Sequence, residues 1–376
     1  MNIGIITWFR YENYGTKLQA IALQGYLRNL GYNVELLNFN PPAVTLENLN
    51  KESLWEKIKK QPKKYKTKMI LKEYEDCLKI KSIKMNKVIK EHCILSNRIV
   101  CKDDYIKVCN KYDLLICGSD QIWNPNLYNA YYYADFDTIT TPIVSYAPSF
   151  GVNEVRVDVL EKLKHSLNQL KYITVREKQG IEIIKKVINK DAEMVMDPTF
   201  LLSQIQWRRL FNLKRKNKDS YVLCYFLSDN KEHWKAVNEF ARKRNLKLYI
   251  IPQLEASYKQ NGKICADTGV EDFVELIMNA EFMLTDSFHG TVFSLIFNKQ
   301  FYTFERFKED KFSSQNSRVK NLLSNVGLEN RLYKFNSNMI LENSKIDYNL
   351  ANEKINKMID ESKQILNKEL QYGKQM

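Results

Sequence analysis

The sequence predicts a two-domain α/β protein in which parallel strands alternate with helices. A chain of 376 residues is long enough for two ordinary domains, each with its own hydrophobic core. Short apolar runs recur in the first half as buried parallel strands do, and after the charged stretch 213–220 the alternation begins again. These observations place one domain at 1–212 and a second at 213–345. A C-terminal helix within 346–376 is expected to pack back on them.

The chain opens with the pattern of a βαβ unit. An apolar run at 3–8 is followed by a polar loop at 10–15 and then by apolar residues at helical spacing. Gly31 ends the predicted helix, and a second strand is expected at 34–39. A lysine-rich helical segment at about 50–95 then interrupts the pattern, so we predict that it is an insertion in the first domain.

The later strands place four loops at one edge of the first sheet. Apolar runs lie at 114–117, 143–147, 172–175 and 194–196, and they lead into GSDQIWNP, PSFG, REKQG and DPTF respectively. Loops at the carboxyl ends of parallel strands are where α/β proteins bind ligands. In the second domain, strands are expected at 221–227, 246–251 and 281–285. Helices are expected there at 231–243 and 271–279, and in the tail at 349–370.

The net charge of +14 is concentrated in one segment. Residues 51–100 contain 14 lysines and one arginine against six acidic residues, which accounts for +9 of the total. Two interpretations remain open: solvated helix faces in a lysine-rich protein, or peripheral contact with anionic membrane headgroups or a lipid-linked diphosphate acceptor. No helix-turn-helix, zinc-finger or RNA-recognition signature accompanies the charge, so nucleic acid is not an expected partner.

Cysteine usage and hydropathy indicate a cytoplasmic protein. The seven cysteines include no Cys-x-x-Cys pair, so reduced, packed thiols are expected rather than a zinc site. No run approaches the roughly 18 apolar residues of a membrane span, and the first residues read as a strand rather than an export signal. The expected location is the cytoplasm, with the inner face of the membrane as the alternative. No metal and no cofactor are expected.

The segment TDSFHGTVFSLIFNKQF, residues 285–301, is the most informative candidate site. A strand ends there in a small polar turn that opens directly into an apolar helix. Five residues lie at this turn: Asp286, Ser287, His289, Gly290 and Thr291. Unpaired backbone N–H groups at a helix N-terminus attract anions, and a histidine there suits proton transfer. The alternative is that Ser287 only caps the helix while His289 packs beside it.

Arg176 is the second candidate, in the segment ITVREKQG. It follows a short strand and precedes a helix, so its guanidinium is expected to point into the ligand crevice. The planar fork of an arginine can hold a carboxylate or a phosphate in two parallel hydrogen bonds. The alternative is a salt bridge to a neighbouring acid such as Glu177.

The loop ENYGTKLQA, residues 12–20, leads from the first strand into the first helix. Gly15 allows a ligand to approach the backbone closely, and Asn13 and Thr16 can cap the helix or bond the ligand. The loop matches neither GxGxxG nor the Walker pattern, so neither a dinucleotide nor a P-loop nucleotide is indicated.

The loop GSDQIWNP, residues 118–125, has the composition of a carbohydrate site. It presents Ser119, Asp120, Gln121 and Trp123 at a strand end. Carboxylate and amide groups can bond sugar hydroxyls while an aromatic face stacks on sugar C–H groups. The alternative is that Trp123 is anchored in the core.

Six of these motifs, taken in order, resemble one known family. NYGTKLQA, GSDQIWNP, SYAPSFG, VREKQG, DPTFLL and TDSFHGTVFSLIFNKQF extend over roughly residues 3–305 and resemble the polysaccharide pyruvyl transferases. The resemblance implies two Rossmann-like halves in a GT-B-like arrangement, with the substrate between them. It also implies phosphoenolpyruvate as co-substrate and a sugar or lipid-linked oligosaccharide of a cell-surface polysaccharide as acceptor.

The implied reaction assigns a role to each candidate. A pyruvate ketal forms when C3 of the enol is protonated, acceptor hydroxyls attack C2 and phosphate leaves. The site must therefore bind a carboxylate and a phosphate. We expect Arg176 to anchor these groups, His289 to supply the proton, and the helix start at 289–291 to bind phosphate. Asp120 is expected to bind the acceptor or act as a base, and Glu177 is a further candidate.

One departure from the family bears on the donor. Other members carry Arg-Leu-His where this chain has Ser287, Phe288 and His289, so one donor-binding arginine is missing. Either another basic residue replaces it, the candidates being Lys17, Arg306 and Arg318, or the donor differs. The alternative enzyme is a GT-B-like glycosyltransferase with a nucleotide-sugar donor. A non-catalytic subunit of an envelope-polymer assembly complex is the alternative outside enzymes.

Overall fold

Two parallel sheets organise the residues that the computed structural model describes, which are 1–40, 70–215, 220–306, 316–334, 341–342 and 344–374. Six short strands belong to the first half: β1 (Asn2–Ile6), β2 (Asn33–Leu36), β3 (Leu114–Cys117), β4 (Ile143–Ser145), β5 (Thr174–Val175) and β6 (Glu193–Met194). The first four form a sheet in the order β2-β1-β3-β4, and β5 pairs with β6 beside it. Every pair is parallel.

Helices connect these strands, as parallel pairing requires. They are α1 (Tyr14–Asn29), α2 (Glu75–His92), α3 (Lys102–Cys109), α4 (Val157–Asn168), α5 (Lys178–Ile188) and α6 (Gln204–Leu210). Short 3₁₀ turns lie at Gln121–Trp123, Pro125–Leu127, Ala130–Tyr133 and Pro198–Leu201. The first three turns fill the long connection from β3 to β4, so this loop is packed structure rather than open coil.

The second half is built around a six-stranded parallel sheet. Its strands are β7 (Tyr221–Tyr225), β8 (Lys247–Ile250), β9 (Lys263–Ile264), β10 (Phe282–Thr285), β11 (Gln300–Phe304) and β12 (Leu332–Tyr333). They run in the order β12-β11-β10-β7-β8-β9. The helices are α7 (Lys231–Arg244), α8 (Glu255–Tyr258), α9 (Val270–Asn279), α10 (Phe288–Ile296), α11 (Asn316–Val326) and α12 (Tyr348–Gln371), with a 3₁₀ turn at Glu329–Arg331. The predicted α/β class is confirmed.

The first two strands are shorter than their apolar runs predict. Strand β1 ends at Ile6 and β2 at Leu36, whereas the runs extend to positions 8 and 39. Beyond Ile6 the chain turns into a loop, and the Thr7 hydroxyl donates to the carbonyl oxygen of Ser119 at 2.9 Å. The surplus apolar residues therefore belong to loops at the sheet edge and not to the ladder.

The described part of the basic insertion connects the two domains. Residues 41–69, which hold much of the predicted basic segment, lie outside the described residues. In α2, the ammonium group of Lys84 contacts the carboxylates of Asp267 and Asp272 at 3.0 and 2.8 Å. Lys81 is buried, with its ammonium 5.3 Å from the centre of the Tyr14 ring. These two lysines thus face the rest of the protein rather than a membrane.

The C-terminal helix α12 returns to the first domain. The backbone N–H of Met196 donates to the Ser362 hydroxyl at 2.9 Å, and the rings of Tyr172 and Tyr372 lie 5.8 Å apart. The same helix also contacts α11 of the second domain. It therefore joins both halves, as the predicted packing-back of the tail requires.

Aromatic stacking fixes the approach of the two domains beside the first helix. The Tyr14 ring at the start of α1 stacks on Phe273 of α9 with centres 4.6 Å apart. Its hydroxyl donates to the carbonyl oxygen of Thr268 at 2.9 Å. The N-terminus of α1 is thereby held against the second domain.

All seven cysteines are free, and four of them are buried. None of the helices in the described ranges has both the length and the apolarity needed to cross a bilayer.

His233 gives the second domain a measurable dependence on pH. Its imidazole is 2% exposed and lies 4.9 Å from the Phe304 ring and 5.9 Å from the Phe226 ring. Burial lowers its pKa from 6.5 to about 4. The unfolded chain therefore binds a proton at this residue at a higher pH than the folded chain, so stability is lost as the pH falls from 6.5 towards 4.

We expect His233→Phe to remove this part of the acid sensitivity. The wild type should lose about 2 to 3 kcal/mol more than the variant between neutral pH and pH 4. Urea denaturation of both proteins at about pH 7.5 and about pH 4.5 measures the difference. A difference in unfolding free energy that does not change with pH would show that His233 is not held neutral.

Candidate active site

The carboxyl ends of the two sheets meet at a small cavity of about 80 Å³. This volume has room for roughly half a dozen water molecules, so it suits a compact ligand. The loops after β1 and β3 contribute from the first domain, and those after β7, β10 and β11 from the second. Its polar and charged lining includes Asn13, Asp120, Gln121, Asp286, Ser287, His289, Arg306 and Arg318.

Asp197 is the buried charge that joins residues of both domains. One carboxylate oxygen, Oδ2, lies 2.5 Å from Nη1 of Arg176 and 3.5 Å from Nε2 of His289. The other oxygen accepts hydrogen bonds from the backbone N–H and the hydroxyl of Thr199, at 3.0 and 2.7 Å. Asp197 therefore holds Arg176 of the first domain and faces His289 of the second.

The surroundings of Asp197 keep it ionised. Burial by itself would raise the pKa of this carboxyl group. The neighbouring His289 imidazole and Arg176 guanidinium, together with the Thr199 hydroxyl, outweigh burial and hold the pKa of Asp197 well below its usual range. A permanent negative charge thus lies behind the imidazole of His289.

Arg176 lies behind the cavity wall. Its Nη2 is 3.9 Å from Oδ1 of Asp120, and its guanidinium carbon is 4.5 Å from the centre of the Phe288 ring. Burial would lower the pKa of Arg176, but the carboxylates of Asp197 and Asp120 raise it. The buried Nε and Nη2 atoms have no hydrogen-bond partner among the described residues. Two donors are thus left for a further group.

Asp120 is held in a strained backbone conformation. Its φ of 71° and ψ of −173° belong to a region that is essentially restricted to glycine and costs about 1–3 kcal/mol. The Thr16 hydroxyl donates to its Oδ2 at 2.5 Å, and the Gln121 N–H donates to its Oδ1 at 2.9 Å. The Ser149 N–H fixes its carbonyl oxygen at 2.8 Å. The carboxylate is therefore aimed at the cleft by several bonds at once.

His289 enters the site on the first turn of α10 and packs against Gly15. The Ser287 hydroxyl caps this helix by accepting the Gly290 N–H at 3.3 Å. A Cβ atom added at Gly15 would lie 1.8 Å from Nδ1 of His289, so only glycine fits there. The close packing fixes the imidazole between α1 and Asp197. Its buried Nε2 has no hydrogen-bond partner among the described residues.

Two arginines of the second domain supply positive charge to the cavity. Arg306 follows β11 and lies near Leu227, and Arg318 belongs to α11. The guanidinium carbon of Arg318 is 5.8 Å from the centre of the Phe288 ring. Burial and the nearby charge of Arg176 lower the pKa of Arg318 to about 10. The two guanidinium groups offer partners to an anionic ligand, in a cavity that the carboxylates of Asp120, Asp286 and Glu305 also line.

Comparison with known protein families tests the resemblance. The family model described as polysaccharide pyruvyl transferase matches residues 13–306. The chain belongs to the polysaccharide pyruvyl transferase family. Of the site residues predicted from the sequence, the matched range contains all but Arg318. Comparison with curated proteins gives no match.

Similarity to a solved structure shows that this family member has the GT-B fold. A Listeria monocytogenes protein assigned as a UDP-N-acetylglucosamine 2-epimerase is similar over 100% of this chain and 90% of its own, with 8% identity and a TM-score of 0.52. The UDP-GlcNAc 2-epimerase of Methanocaldococcus jannaschii aligns over 96% and 92%, with 12% identity and a TM-score of 0.47. MurG of Acinetobacter baumannii aligns over 96% and 94%, with 10% identity and a TM-score of 0.42.

Several residues expected to bind substrate in this pyruvyl transferase family member are structural instead. Trp123 is 0% exposed and stacks on Tyr133 at 5.2 Å, so the core alternative holds and it cannot stack on a sugar. The Thr291 hydroxyl donates to the carbonyl oxygen of Ser287 and bonds Thr303. A Cβ at Gly290 would meet Thr285 at 2.7 Å, which explains glycine there by packing against β10.

Glu177 and Ser119 also face inward. The Glu177 carboxylate accepts the Ser149 hydroxyl and the Phe150 N–H, both at 2.9 Å, so it shapes the loop after β4 and does not form a salt bridge with Arg176. Ser119 is buried, and its hydroxyl donates to the Ala147 carbonyl oxygen at 2.8 Å. Lys17, a candidate for the missing arginine, donates to the Phe9 carbonyl oxygen and does not line the cavity.

Asp286 lines the cavity but is committed to its own domain. Its carboxylate accepts the backbone N–H groups of Leu227 and Ser228 at 2.6 and 2.9 Å, and also the Ser228 hydroxyl. Burial raises its pKa although these bonds oppose the shift. Asp286 therefore connects the loop after β7 to the loop after β10. Asn13 and Gln121 line the cavity from the first domain, as the sequence predicts for substrate-binding residues.

Asp197 and Phe288 are the important site residues that the sequence did not single out. Asp197 is the first residue of the DPTF loop. The sequence places this loop at a strand end but predicts no role for any of its residues. A carboxylate directly after a short buried strand was the available signal. Nothing in the local pattern shows that its partners come from both domains. Arg176 lies 21 residues before Asp197 in the chain, and His289 lies 92 residues after it.

Among the described residues, one cluster has the ligand types and spacing of a metal site. Glu91, His92 and Glu271 have ligand atoms within 4.8 Å of one another, and Nε2 of His92 is 3.0 Å from Glu271. The cluster joins α2 to α9, and none of its members lines the cavity. Lys87 already balances Glu91 at 3.3 Å. The expectation that no metal takes part in the reaction stays a prediction.

Proposed function

We propose that this protein transfers an enolpyruvyl group from phosphoenolpyruvate to a hydroxyl pair of a sugar and closes a pyruvate ketal. The observation that carries the proposal is the convergence of Arg306, Arg318 and the start of α10 beside His289 in one cavity. Phosphoenolpyruvate carries two anionic groups, and the two guanidinium groups together with the helix start can bind both. The family match to residues 13–306 supports the same class of reaction.

In the proposed reaction His289 is the general acid and Asp120 is the general base. Protonation at C3 of the enol by His289 would make C2 electrophilic, and Asp120 would take the proton of the first attacking hydroxyl. As the second hydroxyl attacks, the bond from C2 to the phosphate oxygen breaks. Two C–O bonds have then formed and one has broken. The two acceptor hydroxyls release two protons. One replaces the proton that His289 gave to C3, and the other leaves with the phosphate.

Arg306 and Arg318 would bind the carboxylate and the phosphate of the donor. Ser287 stands where other family members have an arginine, and Arg318 reaches the Phe288 ring of the same turn from α11. Arg176 and Asp197 lie behind the cavity wall, where they would hold this wall and His289 in position. In this arrangement Arg318, rather than Arg176, would anchor the anionic groups of the donor.

Thermal stabilisation by phosphoenolpyruvate tests the donor without knowledge of the acceptor. Saturating donor should raise the unfolding free energy by about 3 kcal/mol at a hundred times the Kd. Arg318→Gln and His289→Gln should lose most of this stabilisation. Arg244→Gln is the matched control, because its guanidinium carbon also lies over an aromatic ring, Phe240, at 3.9 Å but outside the cavity.

Nucleotide sugars form the opposing arm of the same experiment. Stabilisation by a nucleotide sugar and not by phosphoenolpyruvate would replace the proposed reaction with glycosyl transfer on the same fold. The acceptor is proposed to be a sugar or lipid-linked oligosaccharide of a cell-surface polysaccharide precursor, acted on in the cytoplasm. Membrane contact through the basic segment stays a prediction, because residues 51–69 lie outside the described residues.

A further inference from the structure

The loop after β1 carries an unusual pair of aromatic side chains. Among the described residues, Trp8 is the only tryptophan that is not buried, and Tyr11 is the most exposed aromatic residue, at 54%. Their rings lie 5.4 Å apart in an edge-to-face arrangement, and Trp8 meets Tyr132 in the same way at 5.9 Å. An exposed aromatic ring beside a cavity offers a surface on which a ligand can pack.

The loop is held rigidly, with these two rings outside the core. Phe9 is buried, and its carbonyl oxygen accepts the Lys17 ammonium group at 2.8 Å. The Gln19 amide donates to the Trp8 carbonyl oxygen at 3.0 Å. Arg10 is bonded to Asn38 on the other side. A loop anchored at three successive residues presents its rings with little entropy left to lose on binding.

The pair lies next to the reaction cavity. Tyr11 is two residues from Asn13, which lines the cavity, so their Cα atoms are at most about 7 Å apart. On the other side of Trp8, Thr7 bonds the Ser119 carbonyl oxygen, one residue before Asp120. The rings are thus on the first-domain side of the cavity, which the proposed mechanism assigns to the acceptor.

We infer that the exposed ring of Tyr11, supported edge-on by Trp8, forms a stacking platform for a sugar ring of the acceptor. An aromatic face binds the C–H groups of a pyranose, and the exposed carboxylate of Glu12 at its rim can accept hydrogen bonds from the hydroxyls. The cavity is too small for the acceptor as well as the donor, so the acceptor must bind outside it. The inference rests on the proposed function, and it moves the stacking role from the buried Trp123 to this loop.

Saturation-transfer NMR with methyl glycosides of glucose, galactose, mannose and N-acetylmannosamine tests the platform on the full chain. Each sugar is measured with and without phosphoenolpyruvate. We expect transfer to the ring C–H protons of at least one glycoside, weakened about fivefold in affinity by Tyr11→Ala and retained in Tyr11→Phe. Tyr32→Ala is the control, since Tyr32 is a partly buried tyrosine just before β2, at the opposite end of the sheet.

Each outcome bears separately on the platform and on the donor. Transfer to none of the four glycosides, or equal transfer in Tyr11→Ala and wild type, would overturn the platform. Stabilisation by phosphoenolpyruvate should be the same in Tyr11→Ala and wild type, because the donor binds in the cavity. If sugar binding depends on Tyr11 but phosphoenolpyruvate has no effect, the platform stands and the proposed donor fails.

Discussion

Substitution of Gly15 by alanine is expected to abolish turnover. The added Cβ would lie 1.8 Å from Nδ1 and 2.3 Å from Cγ of His289, and contacts under 3.0 Å force something to move. The atoms that would have to move are the imidazole or the start of α1, which also positions Thr16 on Asp120. Because misplacement of a reacting group by about 1 Å can cost about a hundredfold in rate, we expect at least that loss.

Gly25 in the same helix is the matched control for this substitution. A Cβ at Gly25 would meet nothing within 4 Å. Gly25→Ala should therefore leave turnover unchanged and raise the unfolding free energy by about 0.5–1 kcal/mol through helix propensity. Turnover measured with phosphoenolpyruvate and an accepted sugar decides the comparison. Full activity in Gly15→Ala would show that His289 need not occupy this position.

Replacement of Arg176 by methionine is expected to destabilise the fold as well as stop the reaction. It would leave the buried carboxylate of Asp197 without its guanidinium partner at 2.5 Å. Removing one partner of a buried ion pair typically costs about 3–5 kcal/mol, because the other charge stays buried. If Arg176 only bound the donor, its replacement would stop turnover without this loss of unfolding free energy. Urea denaturation separates the two cases.

A double variant and a surface pair sharpen the test of Arg176. Arg176→Met combined with Asp197→Asn should recover part of the lost stability, since the unpaired charge is then removed. Arg156→Met breaks an exposed pair with Asp158 at 2.5 Å and should cost less than about 1 kcal/mol. Equal losses for Arg176→Met and Arg156→Met would contradict the structural role of Arg176.

Local sequence patterns were sufficient for most of the architecture. Buried parallel strands are continuous apolar runs, so β3, β7, β8 and β10 could be recognised with errors of one or two residues at their ends. Helix α12 was recognisable by its spacing of apolar residues. The errors at the ends of β1 and β2 arose because apolar residues continue into loops that pack at the sheet edge.

The chemistry of single residues was less predictable than their position. Ser287 could be identified as a helix cap from its place between a strand and an apolar helix, and it is one. Trp123 occupied an equally suggestive loop position, yet it is buried in the core. The composition of a loop does not show which side chains point outward, because this depends on how the loop packs against other segments, such as the 3₁₀ turn that carries Tyr133.

What the sequence determined by itself is the family, the α/β class and the loops that form the site. These depend on periodicity and on short motifs, which are local properties of the chain. Only the tertiary structure decided that Asp197 joins Arg176 to His289, that Arg318 reaches the cavity, and that Gly15 packs on the imidazole. Each of these contacts links segments far apart in the chain, and their distances follow from how the two domains pack together.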